Sequence, residues 1–400
     1  MGIINDFLFT TWYGGFLIMI IASLVIAKAC DVFEASTEYL GRNMEDGVKG
    51  ATLNAVGSSM PEFLTTVFFL VFAAKENLGR DFAASVGGDT GSAIFNSVVI
   101  PMLVIAVVVI SGLVGANVSK KVILRDGLFL LGAELLLLVL LSSDRITHWH
   151  GWVFTAFYLV YLFYTLKTMN KSEEVENDED DDVNNDDKSW FEKFQFKSKD
   201  GRVLRSWILL CFSTLIIALA CAGLVEGCKG ISNDFAINPL FIALILVAAA
   251  SSVPDAIISM RDAKRGNHDD ALSNVLGSNI FDITISMGLP LAVYLLFTGQ
   301  TIDFTIAGKT LIDIRIMLVL VTLVTMCVFY FAKTLQKKHV FILFSLYAIF
   351  ILYAIGAADY HAKSVSLLSE ISGTFIEFLN RPGGVEETLR ELANYITGNW

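Results

Sequence analysis

The sequence predicts an all-α membrane protein: ten transmembrane helices built as two inverted five-helix repeats. Three observations predict it. Apolar residues make up 54% of the 400 residues, mean hydropathy is +0.62, and charged residues are 17%, against ~25% in soluble domains. Apolar stretches of spanning length recur ten times along the chain. Two polar motifs that interrupt such stretches occur in both halves.

The ten stretches are 11–30, 50–74, 84–111, 122–141, 151–168, 206–228, 238–262, 271–298, 314–332 and 339–357. Each has the length a hydrocarbon core requires. They divide the chain into a first five-helix repeat at 1–168, a loop at 169–205, a second repeat at 206–357 and a tail at 358–400. The opening MGIINDFLFTTWYGG has no basic region ahead of its apolar run, so the first helix is expected to insert the protein itself rather than be cleaved.

Most of the formal charge of −11 sits in EEVENDEDDDVNNDD at 173–187, with ten acids in fifteen residues. A run of like charge is ordinarily solvated, and this one lacks the spaced ligands and turn glycine of an EF-hand. It reads as a linker that binds cations loosely, with regulation as the alternative, and it gives no sign of nucleic-acid binding. The following WFEKFQFKSKDGRVLRSW mixes aromatics and bases and suits a membrane surface. In the tail, two amphipathic patterns, Val365 to Leu379 and Val385 to Ile396, are expected against the outer membrane surface or a partner.

Lysine and arginine set the orientation. The odd-numbered connections carry twenty of them and the even-numbered connections and termini nine, which places both termini outside and 169–205 in the cytoplasm. The expected location is the cell membrane, plasma or inner, with membrane lipids as neighbours. The five cysteines fall in or beside apolar spans without a CxxC pair and read as buried small hydrophobes.

Two motifs carry the chemistry. Gly57-Ser58-Ser59-Met60-Pro61-Glu62 answers Ala250-Ser251-Ser252-Val253-Pro254-Asp255, and Gly91-Ser92-Ala93-Ile94-Phe95-Asn96 answers Gly277-Ser278-Asn279-Ile280-Phe281-Asp282. The first motif lies in the second span of each set and the second motif in the third. With an odd number of spans per set, the second copy enters the membrane inverted, the organisation of secondary transporters whose site lies at the bilayer midplane between the halves. Glu62 and Asn96 are 34 residues apart, Asp255 and Asp282 are 27; the extra seven are expected to lengthen the connection around KENLGRDF.

Proline lacks a donor and crowds the carbonyl four residues back, so Pro61 and Pro254 should free the carbonyls of Gly57 and Ala250, which in lipid must find other partners. Ser58 and Glu62, Ser251 and Asp255, Ser92 and Asn96, and Ser278 and Asp282 are each spaced to share a helix face. The predicted site is therefore all oxygen and amide. Such ligands suit hard cations, Ca²⁺ above all, or Na⁺. Three carboxylates in the membrane, Glu62, Asp255 and Asp282, would cost roughly 8–10 kcal/mol if bare. A bound cation, or protonation of the empty site, is their natural compensation.

At these motifs the sequence resembles the cation/calcium exchanger superfamily, whose repeats carry G-[ST]-S-x-P-[ED] and G-S-x-x-x-[ND]. The resemblance implies that Glu62 and Asp255 are the central ion ligands, flanked by Ser58, Ser59, Ser251 and Ser252. It implies that Asn96, Asp282, Ser92 and Ser278 complete the site from the neighbouring helices, with the carbonyls of Ala55 and Ala248. The run GSNIFDITISMGLP at 277–290 and the aspartate of SSVPD are similar to the potassium-dependent sodium/calcium exchangers, in which an aspartate at the place of Asp282 is linked to potassium. The implied activity is antiport of Ca²⁺ for Na⁺ with K⁺ as a co-transported ion, proton coupling as the alternative, and no cofactor. Phe63 stands where the proton/calcium branch usually has histidine, and Ala250 where the family usually has glycine.

Other readings of the same residues remain open. Ser, Pro and Gly in membrane helices also serve packing alone. Asp-Thr-Gly in GGDTGSA at 87–93 is also an aspartic protease signature, which would pair Asp89 with Asp255; the sequence has no second such triplet. An ion channel would need a continuous pore. Asp89 itself has Val275 at its place in the other half, and reads as tuning ion entry or facing a polar crevice. Glu134, Glu226 and Asp31 lack matched partners and read as structural.

Overall fold

The computed structural model describes residues 11–40, 55–112, 115–116, 119–168, 199–332, 334–361 and 390. The acidic run, the aromatic-basic stretch up to 198 and the first tail pattern lie outside the described residues, and of the second tail pattern only Arg390 is described, 3.5 Å from Asp144.

Within them the chain is helical, because long uncharged runs in an apolar medium must satisfy every backbone group internally. In order come α1 (Trp12–Leu40), α2 (Ala55–Ser58), α3 (Met60–Val71), α4 (Leu78–Ile110), α5 (Lys120–Leu140) and α6 (His148–Thr168). After the loop follow α7 (Lys199–Phe235), α8 (Pro239–Ser251), α9 (Val253–Lys264), α10 (His268–Phe281), α11 (Met287–Thr298), α12 (Thr305–Phe331) and α13 (Lys337–His361). Six helical runs among the described residues are long and apolar enough to cross a membrane, or seven if α8 and α9, bent by 41°, form one span.

The predicted second span differs from a plain helix. It breaks at Ser59 into α2 and α3, and the 238–262 span breaks at Ser252 into α8 and α9. Both serines hold nearly the same backbone, φ −94° and ψ 8° at Ser59, φ −79° and ψ 1° at Ser252. The cause is the proline at the second position of the following helix, whose ring ends the preceding ladder. The carbonyl of Ala250 accepts a hydrogen bond from the Ser23 hydroxyl at 3.1 Å, the replacement partner that lipid cannot supply.

The seven extra residues of the first copy divide between two places. Both broken helices are twelve residues long. The connection after α3 has six residues (72–77) against three (265–267) after α9, and Asn96 lies eighteen residues beyond the start of its helix against fourteen for Asp282. About one turn of helix, starting at Leu78 and carrying Asp81, therefore accounts for the remainder.

Close backbone approach assembles the centre. α4 lies against α8 with Gly87 and Gly91 at the crossing; a Cβ on Gly91 would fall 1.9 Å from the Leu244 carbonyl oxygen. α8 contains a π-helical turn at Ala243–Val247, and a second, Asp282–Ser286, joins α10 to α11; such turns rotate the following residues relative to a regular helix. α1 pairs along α7, where Gly15 and Gly227 meet. Outside the helices, β1 (Arg145–Ile146) pairs antiparallel with β2 (Ile302–Asp303), and Ala116 pairs with Leu335, so each half is tied to the other by its loops.

Cysteines follow the expectation in part. All five are free; Cys30, Cys221 and Cys228 are buried, but Cys211 and Cys327 are exposed on their helices. Arg315 is 1% exposed and donates to the carbonyls of Leu137 and Leu138 at 3.3 and 3.1 Å. It caps the C-terminal end of α5, where unpaired carbonyls and the helix dipole favour a cation.

Candidate functional site

Four helices converge on the bundle interior because their polar residues have no other place to go. The breaks at Ser59 and Ser252 start α3 and α9, each with an acid in its first turn, Glu62 and Asp255. Carboxylates there face the unpaired N–H groups and positive dipole end of a helix. The middle of α4 contributes Ser92 and Asn96, and α10 with its π-helical turn contributes Ser278 and Asp282.

Glu62, Asp255 and Asp282 come together. Each offers an oxygen within 4.8 Å of the others, and their exposures are 2%, 0% and 0%. Serines and an amide bridge them. Ser92 donates to Glu62 at 3.3 Å and to Asp282 at 3.4 Å, and its hydroxyl lies 2.8 Å from that of Ser252. Asn96 donates to Asp255 at 3.0 Å, and Ser278 donates to the other oxygen of Asp255 at 2.9 Å. The Ser58 hydroxyl lies 3.2 Å from that of Ser278. Ser59 is buried at the first break.

Ser251 makes a side-chain hydrogen bond with Glu62 of the other copy. Its hydroxyl also lies 3.3 Å from the Ala248 carbonyl, which accepts the Ser252 N–H at 3.1 Å. Ala55 opens α2 at the edge of the described residues. The shared faces expected at spacing four hold within α4. At the breaks the serines reach the acid of the other copy, Ser58 toward Asp255 and Ser251 toward Glu62.

The electrostatics are unbalanced. Among the described residues, no lysine, arginine or histidine pairs with the three acids. One oxygen each of Glu62, Asp282 and Asn96 is buried without a hydrogen-bond partner. Buried unpaired oxygens and uncompensated charge are costly. The arrangement is thus suited to receive a positive ion with several oxygen ligands.

Sequence reasoning missed one crossing residue. Asn279, inside the second motif, donates to the Ala93 carbonyl at 3.0 Å and to Ser97 at 2.8 Å, joining α10 to α4; it stands at the place of Ala93 in the other copy, and this mismatch was the available signal. Among the unmatched acids, Glu134 accepts from Thr322 at 2.6 Å, and Asp31 pairs with Arg261 at 2.9 Å. Asp89 accepts from Thr66 and stands apart from the three-acid cluster, so a protease pairing of Asp89 with Asp255 has no support in the geometry.

Both halves of the chain match known proteins. The family model for the sodium/calcium exchanger protein matches residues 14–167 and 205–356. An uncharacterised membrane protein of Methanocaldococcus jannaschii is 27% identical over 262 residues, 65% of this chain and 76% of that one. The sodium/potassium/calcium exchanger 2 of Gallus gallus is 29% identical over 130 residues, 32% of this chain and 20% of that protein. Among solved structures, the H⁺/Ca²⁺ exchanger CAX superposes with a TM-score of 0.65 over 96% of this chain and 91% of that one, at 13% identity, a likeness of fold. The protein is a multi-pass membrane transporter and not an enzyme. With both halves matched and the four motifs meeting in one buried centre, the chain belongs to the sodium/calcium exchanger family.

Proposed function

We propose that the protein exchanges Ca²⁺ for Na⁺ by alternating access, with K⁺ carried alongside Ca²⁺. The observation that carries this reading is the buried cluster of Glu62, Asp255 and Asp282, within 4.8 Å of one another and without a basic partner among the described residues. Glu62 and Asp255 would be the central ligands. Ser58, Ser59, Ser92, Asn96, Ser251, Ser252, Ser278 and Asp282 would surround them, with the carbonyls of Ala55 and Ala248. The motif-level likeness of 277–290 to potassium-dependent exchangers supports a K⁺ role for Asp282.

The architecture proposed with it is ten spans in two inverted repeats, 1–168 and 206–357. The 169–205 loop is cytoplasmic, the 358–400 tail lies on the outer side, and the site is at the midplane. The equal length of α3 and α9 and the matching breaks at Ser59 and Ser252 support the repeat. The empty, charged site is costly to carry through the membrane, so occupancy by Ca²⁺ or by Na⁺ permits the rearrangement and couples their movements. Uptake of ⁴⁵Ca²⁺ into proteoliposomes tests this with an outward Na⁺ gradient, an outward H⁺ gradient or none, each with and without K⁺. Uptake is expected with Na⁺ and increased by K⁺. Uptake driven by H⁺ alone would replace Na⁺ with the proton, and uptake with no exchangeable ion would indicate a channel.

A further inference from the structure

α3 and α4 meet a second time, one turn away from the acid cluster. Ser92 of α4 reaches Glu62 of α3 at 3.3 Å. One turn further along α3 and one turn back along α4, Thr66 donates to Asp89 at 3.3 Å, and Ser85, another turn back, donates to Thr66 at 2.8 Å. None of the three exceeds 2% exposure. Asp81, Ser85 and Asp89 follow at intervals of four on one face of α4. The outer end of this row is closed by Lys229, which pairs with Asp81 at 3.0 Å, while Arg80 donates to Ser232 at 3.2 Å.

Both of those bases are thus engaged elsewhere. Among the described residues Asp89 receives one hydrogen bond, from Thr66, and no ion pair, although a carboxylate offers about four acceptor positions. A buried intramembrane acid so poorly compensated requires a positive partner. The second half shows that helix packing alone does not demand an acid here. At the place of Thr66 it has Ser259, which accepts a hydrogen bond from the Asn274 amide at 3.2 Å, and Val275 stands where Asp89 does. The corresponding contact between helices is made there by a neutral pair.

We propose that Asp89, Thr66 and Ser85 form a second cation site for one monovalent ion, Na⁺, on the side of the acid cluster toward the C-terminal end of α3. One carboxylate and two hydroxyls neutralise a single positive charge; a divalent ion would be left with net charge and few ligands. The site's place on the transport path rests on the exchange reading above, whereas its binding of Na⁺ does not.

The test uses the full chain in detergent with Glu62→Gln, Asp255→Asn and Asp282→Asn combined, so that the central cluster carries no charge. Thermal unfolding is followed in NaCl against choline chloride at equal ionic strength. Na⁺ is expected to raise the Tm, and addition of Asp89→Asn to abolish the rise. If the Asp89 variant does not fold, Thr66→Val should weaken Na⁺ by about tenfold instead. A Na⁺-dependent rise that survives Asp89→Asn, or that keeps the same Na⁺ concentration dependence in Thr66→Val where that variant replaces it, overturns the proposal. So does its absence from the neutralised protein while wild type shows it. In vesicles, Asp89→Asn alone should raise the half-saturating Na⁺ and lower its Hill coefficient. A wild type that does not exchange Ca²⁺ for Na⁺, together with an Asp89-dependent rise in Tm, would refute the exchange reading and leave this site standing.

Discussion

Asn96 and Asp255 are 159 residues apart in sequence, yet the amide of one donates to the carboxylate of the other at 3.0 Å. Asp255 also accepts from Ser278 through its second oxygen, so both oxygens are aimed and the carboxylate is held in place for an ion. Asp255→Asn removes a charge and one acceptor without changing the volume. Na⁺-driven ⁴⁵Ca²⁺ uptake should fall by about 100-fold or more, and uptake equal to wild type would remove Asp255 from the site.

Asp282 lies at the start of a π-helical turn, one of its oxygens accepting from Ser92 and the other unpartnered. Asp282→Asn should leave Na⁺-driven uptake measurable but no longer stimulated by K⁺. Equal stimulation of wild type and variant in the same vesicles would show that K⁺ binds elsewhere.

The carbonyl released by Pro254 depends on one hydroxyl, that of Ser23. Ser23→Ala should destabilise the detergent-solubilised protein by about 1 kcal/mol, read as a lower Tm. Pro254→Ala, which restores the donor, should reduce that penalty in the double variant; additive effects would mean that the two residues do not act on the same carbonyl.

Gly88 and Gly91 are three residues apart in one helix but differ in surroundings. A Cβ on Gly91 would meet the Leu244 carbonyl oxygen at 1.9 Å and the Ala248 Cβ at 2.8 Å, whereas one on Gly88 has its nearest neighbour at 3.9 Å. Gly91→Ala should therefore cost about 1–3 kcal/mol or more. Gly88→Ala should be neutral or stabilising by up to about 1 kcal/mol. Thermal unfolding of the two variants in parallel checks the difference.

The paired motifs, the three acids and the prolines were legible in the sequence because each is a local pattern. An apolar run calls for a helix, a proline breaks it, and an acid inside it is too costly to be incidental. The turn of Ser251 back to Ala248, the bridge from Ser92 to Glu62, Ser252 and Asp282, and the crossing of Asn279 to Ala93 were not legible. Each depends on how a helix rotates after a break, or on which face of α4 meets α8 and α10. Asp89 shows the division most plainly. Its sequence position marked it as an unmatched acid; only the packing of α3 against α4 decided that it meets Thr66, one turn from Glu62, while the second half makes the same contact with a neutral amide. Local patterns along the chain specify a membrane helix bundle with oxygen-rich breaks in both halves. Which oxygens share one centre was decided by tertiary packing, because side chains from segments more than a hundred residues apart are neighbours only once the helices cross.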